Sequence, residues 1–277
     1  MPEVETTRLK YEKVKLLIGA KVFADRRALL SGEHSAELME LLERRGVIIF
    51  PEAGLNEDEL IAFTRTMGDY AADSADGSAT RISIDPATSS NADFTRVSFF
   101  WHFDGYMNPV PIRGSIMVAR ALSSTGGNTE FCNTYAAWEE LPDARKRQIE
   151  GLKAVHSHAA AARVLEPEPS YERFREWMTV KSSTLPLVWT HRSGRKSLVI
   201  GNTAAGIVGM DPVESMELLI WLRDWATQER FRYSHEWAIG DMVMWDNTGT
   251  LHRVTPYAAD SGRLMLRTKL AGDEPIV

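Results

Sequence analysis

The stretch G-D-M-V-M-W-D-N-T-G-T-L-H-R-V (240–254) carries the clearest signal for the fold of this 277-residue chain. Its first half is apolar, which predicts a buried strand at 242–246. The following D-N-T-G is rich in turn-forming residues, and the chain then returns toward the core with Leu251. Because His252 lies on the returning segment, a potential metal ligand comes directly after a buried strand and its turn.

Other segments whose residue patterns predict strands or helices lie before and after this stretch in the sequence. Strands are expected at 15–23, 47–50, 98–107, 114–122, 129–131, 263–270 and in a hairpin of 187–191 with 197–201. Helices are expected at 35–45, from the N-cap Asn56 to Gly68, and after the N-cap Asp211 with the stripe Met216, Leu219, Leu222 and Trp225. No repeat or break in composition marks a boundary, so residues 1–277 should form a single domain, mainly β with flanking helices, as a sandwich or barrel.

Two segments lack regular apolar spacing and are candidate lid loops. Residues 71–95 are rich in Ala, Asp, Ser, Gly and Thr, and residues 160–185 contain E-P-E-P and F-R-E-W-M. So long an irregular segment inside a compact domain is usually functional or disordered. We therefore expect these segments to lie near a binding site.

Composition and charge narrow the class of ligand. The formal net charge of −6 disfavours nucleic acid or an anionic membrane as the main partner. No signal peptide is evident, and no apolar run approaches the roughly 18 residues of a transmembrane helix. The single cysteine, Cys132, excludes an internal disulfide and a Cys-based zinc site, which fits a reducing compartment. We therefore expect a cytoplasmic protein that binds a small molecule, without nucleic acid or membrane as partner.

The segment S-F-F-W-H-F-D-G-Y-M (98–107) has the composition of a buried strand but carries two polar residues at its centre. In a strand, His102 and Asp104 would point the same way, into one cavity, while Trp101 and Phe103 would point the other way. A buried pair whose polar groups satisfy each other is the default interpretation. Metal binding is the alternative, and the short H-x-D pattern alone does not decide between them.

The other histidines have less suggestive surroundings. His156 and His158 alternate and could compete as a metal pair, but no carboxylate lies close to them in the sequence. His34 at a helix start, His191 at a hairpin and His235 in a polar run are most simply ordinary polar residues. The histidine on the stretch quoted first is therefore the best partner for the H-x-D pair.

The segment G-R-L-M-L-R-T-K-L (262–270) places Arg263 and Arg267 on one strand face, opposite a row of leucines. Basic residues on an antiparallel strand usually face water. In a closed barrel, however, one face is the lumen, and a cationic lumen beside a His/Asp pair could bind an organic anion. Two histidines and one carboxylate are also the ligands of the facial triad in non-haem iron(II) oxygenases, which leaves metal positions open.

These motifs occur in the order and spacing of a known family. W-H-F-D (101–104), G-G-N-T (126–129), G-D-M-V-M-W-D-N (240–247), L-H-R (251–253) and G-R-L-M-L-R (262–267) resemble the TauD/TfdA family of Fe(II)/2-oxoglutarate-dependent dioxygenases over nearly the whole chain. The resemblance implies a double-stranded β-helix (jelly-roll) core and a homo-oligomer, a dimer or tetramer. It also implies Fe(II) as cofactor, with 2-oxoglutarate and O2 as co-substrates.

The resemblance further implies the reaction and the residues that carry it. The enzyme would hydroxylate an unactivated C–H bond of a small carboxylate-bearing molecule and convert 2-oxoglutarate to succinate and CO2. Carried over residue by residue, His102, Asp104 and His252 would bind iron. Arg263 would pair with the distal carboxylate of 2-oxoglutarate through its planar guanidinium, and the Thr129 hydroxyl would donate a hydrogen bond to the same group.

The substrate side is expected to involve three more residues. By resemblance, Arg267 would hold the anionic end of the primary substrate. Phe103 and Tyr106 could line an apolar pocket, although each could equally be ordinary core. The sequence after Ile200 looks closer to the phenoxyalkanoate side of the family than to its taurine enzymes.

Two other functions stay open on the residues alone. A His2Asp zinc hydrolase would keep the three metal ligands but would give Arg263 and Thr129 no role. A non-catalytic jelly-roll binding protein would use the His/Asp pair structurally and would bind no metal.

Overall fold

The computed structural model describes residues 9–87, 89 and 92–277. In these ranges the strands are β1 Tyr11–Lys13, β2 Ala20–Val22, β3 Val47–Phe50, β4 Thr80–Ile82, β5 Gly114–Ala121, β6 Thr129–Asn133, β7 Lys153–His156, β8 Ser183–Pro186, β9 Val188–Thr190, β10 Lys196–Leu198, β11 Ala204–Ile207, β12 Arg232–His235, β13 Met242–Asp246, β14 Thr250–Val254 and β15 Leu264–Leu270. The helices are α1 Arg26–Ser31, α2 Ser35–Arg45, α3 Glu57–Met67, α4 Ala92–Arg96, α5 Thr134–Glu139, α6 Asp143–Ile149, α7 His158–Leu165, α8 Tyr171–Trp177 and α9 Pro212–Ala226. Short 3₁₀ turns cover Val97–Phe99 and Ala259–Ser261. None of the described helices combines the length and the apolar character needed to span a membrane.

Two sheets form the centre of the fold. The larger has the order β1-β2-β3-β13-β5-β15-β4, and the smaller has the order β12-β6-β14. The turn at 247–249 carries the chain from β13 in the larger sheet to β14 in the smaller one. The stretch quoted first therefore connects the two sheets, as expected for strands that alternate between the sheets of a jelly-roll.

Apolar side chains separate the layers. Along β13, Met242 and Met244 pack with helices α2 and α3, whereas Val243 and Trp245 point into the space between the sheets. This alternation is the two-residue period of a strand buried on both faces. Phe131 from β6 meets Trp245 there, with ring centroids 5.6 Å apart. The predicted fold, a jelly-roll core with helices on its outside, is confirmed.

Several local predictions are also confirmed. Helix α2 covers the predicted residues and ends at Gly46, whose φ of 71° is a left-handed conformation that favours glycine. Helix α3 begins with the predicted capping box, in which Asn56 accepts from the Glu59 amide at 3.0 Å and Glu59 accepts from the Asn56 amide at 2.9 Å. Asp211 caps α9 as predicted, but the expected apolar stripe is partly wrong because Met216 is 49 % exposed.

The predicted strand at 98–107 is wrong. Its start is a 3₁₀ turn, and its backbone pairs with β14 only through an isolated bridge between His102 and His252. Two residues further on, the Asp104 amide donates to the Asn247 side chain at 2.8 Å instead of to a strand carbonyl. Gly105 then turns the chain with a φ of 83°. No regular ladder can continue through these positions.

The remaining differences from the predictions concern the length of one strand and the secondary structure within the two candidate lid segments. The strand expected at 15–23 is shortened to β2, because Gly19, with a φ of 79°, turns the chain just before it. Segment 160–185 is about half helical, since it contains most of α7 and all of α8. Segment 71–95 includes β4, and its positions 88, 90 and 91 lie outside the described residues. That either segment acts as a lid stays a prediction.

Candidate active site

Backbone pairing brings the two histidines of the predicted triad together. The His102 amide donates to the His252 carbonyl at 3.0 Å, and the His252 amide donates to the His102 carbonyl at 2.8 Å. Their rings lie 4.2 Å apart between centroids. The His252 ring also packs 5.0 Å from the Trp245 ring, so an aromatic core side chain supports the histidine from behind.

Asp104 completes the cluster. Its two carboxylate oxygens lie 3.8 Å from His102 Nε2 and 3.7 Å from His252 Nε2. One ligand atom from each of the three residues lies within 4.8 Å of the other two, the only such group of His, Cys, Asp and Glu among the described residues. The amide of Asn247 fixes the aspartate backbone, because it donates to the Asp104 carbonyl at 2.9 Å. Side chains 150 positions apart in the sequence are thus held in one place.

The electrostatics keep Asp104 and His252 in the protonation states that a metal requires. Burial would raise the pKa of Asp104, but the charges of Arg267, His252 and His102 outweigh it and hold that pKa well below its usual range. Burial, with a smaller contribution from His102, lowers the pKa of His252 to about 3. The cluster therefore offers a carboxylate and a neutral imidazole at neutral pH, and metal ligands must be deprotonated in this way.

The orientation of His102 also suits metal binding. Its Nδ1 lies 2.8 Å from the Phe100 carbonyl, so that nitrogen donates and Nε2 is left as the lone-pair atom facing Asp104. A backbone carbonyl on the remote ring nitrogen is the usual way in which a ligating histidine is oriented. The donor set, two imidazoles and one carboxylate with no thiolate, fits a non-haem iron(II) centre.

A small cavity connects the triad with the predicted 2-oxoglutarate residues. Its volume is about 60 Å³. Its lining includes His102, His252, Thr129, Arg263 and Arg267. All of the predicted metal-ligating, co-substrate and anion-binding residues except Asp104 therefore border one space, and Asp104 lies next to the two histidines that border it.

Arg263 is a buried cation without a carboxylate partner among the described residues. The residue is 3 % exposed, one of its terminal nitrogens donates to the Gly127 carbonyl at 3.0 Å, and Nε has no hydrogen-bond partner. Its guanidinium carbon lies 4.7 Å from the centre of the Tyr257 ring. Burial lowers the pKa of Arg263, which is the expected cost of an unpaired charge in a low-dielectric site. An anion in the cavity would relieve that cost.

Thr129 lies beside this arginine with its hydroxyl proton available. Its oxygen accepts a hydrogen bond from Trp237 Nε1 at 2.9 Å. Since the indole can only donate, the Thr129 hydroxyl keeps its own proton to donate elsewhere. Thr129 and Arg263 both line the cavity, which agrees with the predicted role of Thr129 toward a carboxylate.

Gly127 leaves the space that the Arg263 side chain occupies. A Cβ at this position would lie 2.8 Å from Arg263 Nε, and the φ of Gly127 is +78°. Any other residue would displace the guanidinium and strain the backbone. The G-G-N-T motif thus has a steric reason for its second glycine.

Arg267 contacts the triad directly. Its Nη1 lies 3.2 Å from an Asp104 oxygen, and its Nε has no hydrogen-bond partner among residues 9–87, 89 and 92–277. The other two residues assigned to the substrate side lie elsewhere: Phe103 and Tyr106 are buried in the core against His156, with ring-centroid distances of 5.6 and 6.3 Å. Neither lines the cavity at the triad.

The histidines outside the triad have their own partners or surroundings. His156 Nδ1 lies 2.8 Å from the Thr203 hydroxyl, and His191 Nε2 lies 2.8 Å from the Ser197 hydroxyl. His235 pairs with Asp241 at 3.1 Å. The alternating His156 and His158 are separated by the start of α7 and join no metal-ligating group in the described ranges.

Sequence reasoning missed several residues that shape the site. Asn247, which fixes Asp104, stood in a quoted motif, so its position was a usable signal. Tyr257 covers Arg263, and Trp237 orients Thr129, but no local pattern marks either residue. Arg253, directly after a triad histidine, stacks over the Trp101 ring at 4.6 Å.

A cluster of two histidines and one aspartate beside a small cavity, which a buried arginine without a carboxylate partner among the described residues also borders, is the arrangement of a non-haem iron oxygenase that binds a dicarboxylate co-substrate. The family model described as taurine catabolism dioxygenase TauD, TfdA family, matches residues 10–269, and the chain belongs to this family. It is therefore a dioxygenase that depends on Fe(II), 2-oxoglutarate and O2.

Individual relatives agree with this assignment. The chain is 33 % identical over 242 residues to the (S)-phenoxypropionate/alpha-ketoglutarate-dioxygenase of Sphingobium herbicidovorans, covering 82 % of each chain. It is 32 % identical over 276 residues to the alpha-ketoglutarate-dependent 2,4-dichlorophenoxyacetate dioxygenase of Cupriavidus pinatubonensis, covering 91 % of this chain and 93 % of that one. The crystal structure of AAD-2 with Mn(II) and N-oxalylglycine superposes with a TM-score of 0.84 at 30 % identity, covering 98 % of this chain and 100 % of the other.

Proposed function

We propose that this dioxygenase hydroxylates an unactivated C–H bond of a small carboxylate-bearing molecule and converts 2-oxoglutarate to succinate and CO2. The observation that carries the proposal is the cluster of His102, Asp104 and His252, with ligand atoms within 4.8 Å of one another. Phenoxypropionate and 2,4-dichlorophenoxyacetate, named for two relatives, are both aryloxy acids and support a carboxylate substrate.

In this proposal the three triad residues hold Fe(II), which when bound activates O2 for attack on the C–H bond. Arg263 and Thr129 bind the distal carboxylate of 2-oxoglutarate, the arginine as a charged pair and the threonine as a hydroxyl donor. Burial of Arg263 strengthens that pair, because charges interact more strongly away from water. The aromatic ring of Tyr257 over the guanidinium keeps water from the same side.

Arg267 is proposed to hold the carboxylate of the primary substrate. In the metal-free arrangement its charge is balanced by Asp104. A metal cation on Asp104 would compensate the same carboxylate, which leaves the Arg267 charge available to a second anion. Its unpartnered Nε supplies a further donor for this purpose.

Phe103 and Tyr106 are the weaker part of the substrate assignment. Both are buried away from the cavity, and burial raises the pKa of the Tyr106 hydroxyl, which has no hydrogen-bond partner. We retain for them only a supporting role, as members of the apolar core on either side of Asp104 in the sequence.

The assembly and location of the enzyme are proposed from sequence and surface. A homo-oligomer, dimer or tetramer, is supported by apolar side chains on the surface, among them Val213 at 76 % exposure. A cytoplasmic location is supported by a single cysteine that is buried and unpaired. Light scattering of the purified protein measures its oligomeric state, and a monomer at micromolar concentration would contradict the proposed homo-oligomer.

Anaerobic spectroscopy tests the proposed function. Fe(II) followed by 2-oxoglutarate should produce the weak visible charge-transfer band of the chelate in the wild type and not in His102→Ala. His34→Ala, at a helix start outside the cluster, is the control and should keep the band. A band that survives His102→Ala, or no band with the wild type, would sink the assignment; a zinc hydrolase or a metal-free binding protein would give no band.

A further inference from the structure

A buried histidine and a buried aspartate lie close to Thr129 and have no part in the proposed function. His235 is 4 % exposed and Asp241 is 6 % exposed. Nε2 of His235 lies 3.1 Å from an Asp241 carboxylate oxygen, within the distance of an ion pair. Burial of such polar groups is costly unless they are partnered, so the pair needs an explanation.

The strand register places His235 next to the co-substrate residue. Strand β12 runs antiparallel to β6, and His235 at the end of β12 is paired with Thr129 at the start of β6. Val254 of β14 is paired with Thr129 on the other side. These two ladders fix the backbone of Thr129. They do not decide where its hydroxyl proton points, because that proton rotates to suit its surroundings.

Trp237 supplies a constraint on that proton. Its Nε1 donates to the Thr129 oxygen at 2.9 Å. With a donor already on one side of the oxygen, the hydroxyl proton is directed away from the indole. Trp237 is buried and is not among the described residues that line the cavity. We therefore expect it to act on a ligand in the cavity through Thr129.

The segment that carries Trp237 is held by the aspartate of the pair. Residues 236–241 connect β12 to β13 and lie almost entirely outside any strand ladder. One carboxylate oxygen of Asp241 accepts from the Ala238 amide at 3.0 Å, which ties the segment to itself. The other oxygen accepts from the Glu52 amide at 3.1 Å, which joins the segment to the turn after β3.

His235 lies between this aspartate and the indole. Its ring meets the Trp237 ring edge to face, with 4.6 Å between the centroids and 81° between the planes. Its Nδ1 lies 3.0 Å from the Tyr233 hydroxyl. Because an ionised carboxylate can only accept, the neutral ring carries its proton on Nε2, facing Asp241, and its Nδ1 accepts from the tyrosine. The imidazole is thus held from both sides and gives the indole a fixed neighbour.

The two partners of His235 keep constant roles at neutral pH. Burial would raise the pKa of Asp241, but His235 and the two backbone amides outweigh it and lower that pKa. Burial and the charge of Asp241 raise the pKa of Tyr233 to about 12, so its hydroxyl keeps its proton. The carboxylate therefore stays an acceptor and the phenol stays able to donate.

We propose that Asp241 and His235 are positioning residues for the co-substrate: they fix Trp237, which directs the Thr129 hydroxyl toward the distal carboxylate of 2-oxoglutarate. This inference rests on the proposed function, because it takes Thr129 as a ligand of that carboxylate. A pair that only stabilises the fold is the alternative. Such a pair would affect co-substrate binding equally whether or not the Thr129 hydroxyl is present.

Calorimetric titration of N-oxalylglycine into Mn(II)-loaded protein tests the inference, because this dicarboxylate reports on the co-substrate site without turnover. Thr129→Val should weaken its binding about fivefold, as expected for one lost hydrogen bond. Trp237→Phe, which removes the indole N–H, and His235→Leu and Asp241→Asn should each weaken it about threefold. In steady-state assays of these variants, the KM for 2-oxoglutarate should rise by the same factor and kcat should stay within about twofold.

The same three substitutions in the Thr129→Val background separate positioning from general stability. With the hydroxyl gone, each should change Kd by less than about 1.5-fold, because the group on which they act is no longer present. Thermal unfolding of every variant identifies any that fails to fold, and three variants are used so that one such failure does not decide the result.

His191→Leu is the matched control. His191 is 7 % exposed, its Nε2 lies 2.8 Å from the Ser197 hydroxyl, and its Nδ1 lies 4.0 Å from a Glu274 oxygen. It is thus also a buried histidine between a hydroxyl and a carboxylate, but it does not contact Trp237. The control should leave Kd within about 1.5-fold of its background, with or without the Thr129 hydroxyl.

Other outcomes overturn the inference. If the folded variants leave Kd unchanged, or weaken binding equally with and without the Thr129 hydroxyl, Asp241 and His235 do not position that hydroxyl. If Thr129→Val itself leaves Kd unchanged, the threonine has no role toward the carboxylate and the inference falls with it. The anaerobic Fe(II)/2-oxoglutarate band is recorded on the same preparations. Its absence in the wild type contradicts the proposed function, whereas its presence without the expected dependence on Thr129 contradicts only the positioning role.

Discussion

Arg263 directly precedes strand β15, Arg267 lies within it, and both border the same cavity. The two arginines differ in the group that balances their charge. Arg263 is 3 % exposed, donates to a backbone carbonyl, lies against an aromatic ring and has no carboxylate partner within the part of the chain that the structure describes. Arg267 is paired with the Asp104 carboxylate at 3.2 Å. The first is thus prepared for an anion before any metal binds, whereas the second is occupied until its partner is compensated.

This difference suggests that the two arginines serve different ligands at different stages. An unpaired buried cation is costly, and the fold tolerates it where a ligand later supplies the missing charge. A paired cation costs less and also keeps the carboxylate ionised and oriented. Of the two arginines, we expect only Arg263 to affect co-substrate affinity, and we expect Arg267, together with the metal, to affect substrate affinity.

Arg263→Ala should have the largest effect. Loss of a charge-assisted pair in a buried site costs roughly 2–5 kcal/mol, which corresponds to a KM for 2-oxoglutarate raised from about 30-fold to about 4,000-fold. Steady-state kinetics with varied 2-oxoglutarate measure it. An unchanged KM would mean that Arg263 does not bind 2-oxoglutarate. It would also mean that the two arginines do not differ in the ligands proposed for them.

Arg267→Gln should raise the KM for the primary substrate by roughly 30-fold and leave the KM for 2-oxoglutarate within about threefold. Glutamine keeps a donor near Asp104 but removes the charge. The chelate band should persist, because the three ligands remain. If instead the 2-oxoglutarate KM rises as much as it does in Arg263→Ala, the two arginines share one ligand.

Gly127→Ala should raise the KM for 2-oxoglutarate about tenfold, because its Cβ would come within 2.8 Å of Arg263 Nε. Gly262→Ala is the matched control: its φ of +71° is similar, but no atom lies within 4 Å of the added Cβ. Both variants carry backbone strain, and only the first should move the arginine. Equal effects in the two kinetic assays would mean that strain, not displacement, is responsible.

Thr129→Val should have the smallest effect, about fivefold on the KM for 2-oxoglutarate, since it removes one hydrogen bond worth roughly 1 kcal/mol. Thr129→Ser keeps the hydroxyl and should restore most of the affinity. The Trp237 indole loses its acceptor in the valine variant alone, so thermal unfolding of both variants separates a stability effect from a binding effect. A serine variant as impaired as the valine variant would contradict the hydroxyl's role.

The fold could be predicted from the sequence wherever one short pattern contains everything that determines the local structure. The alternation of Val243 and Trp245 with their methionine neighbours is visible in five letters, and it holds because a strand buried on both faces needs apolar residues throughout. The capping box at Asn56 is equally local. The strand predicted at 98–107 failed because a ladder requires a partner, and Asp104 bonds a side-chain amide instead.

The sequence alone determined which residue types could form the site: two histidines, one carboxylate and two arginines in an order that resembles a family. Only the tertiary structure decided how they differ, because Arg267 meets Asp104 across 163 positions and Arg263 meets Gly127 across 136. Distance, burial and the pairing of charges are properties of packed neighbours, and no local pattern encodes which neighbours those will be.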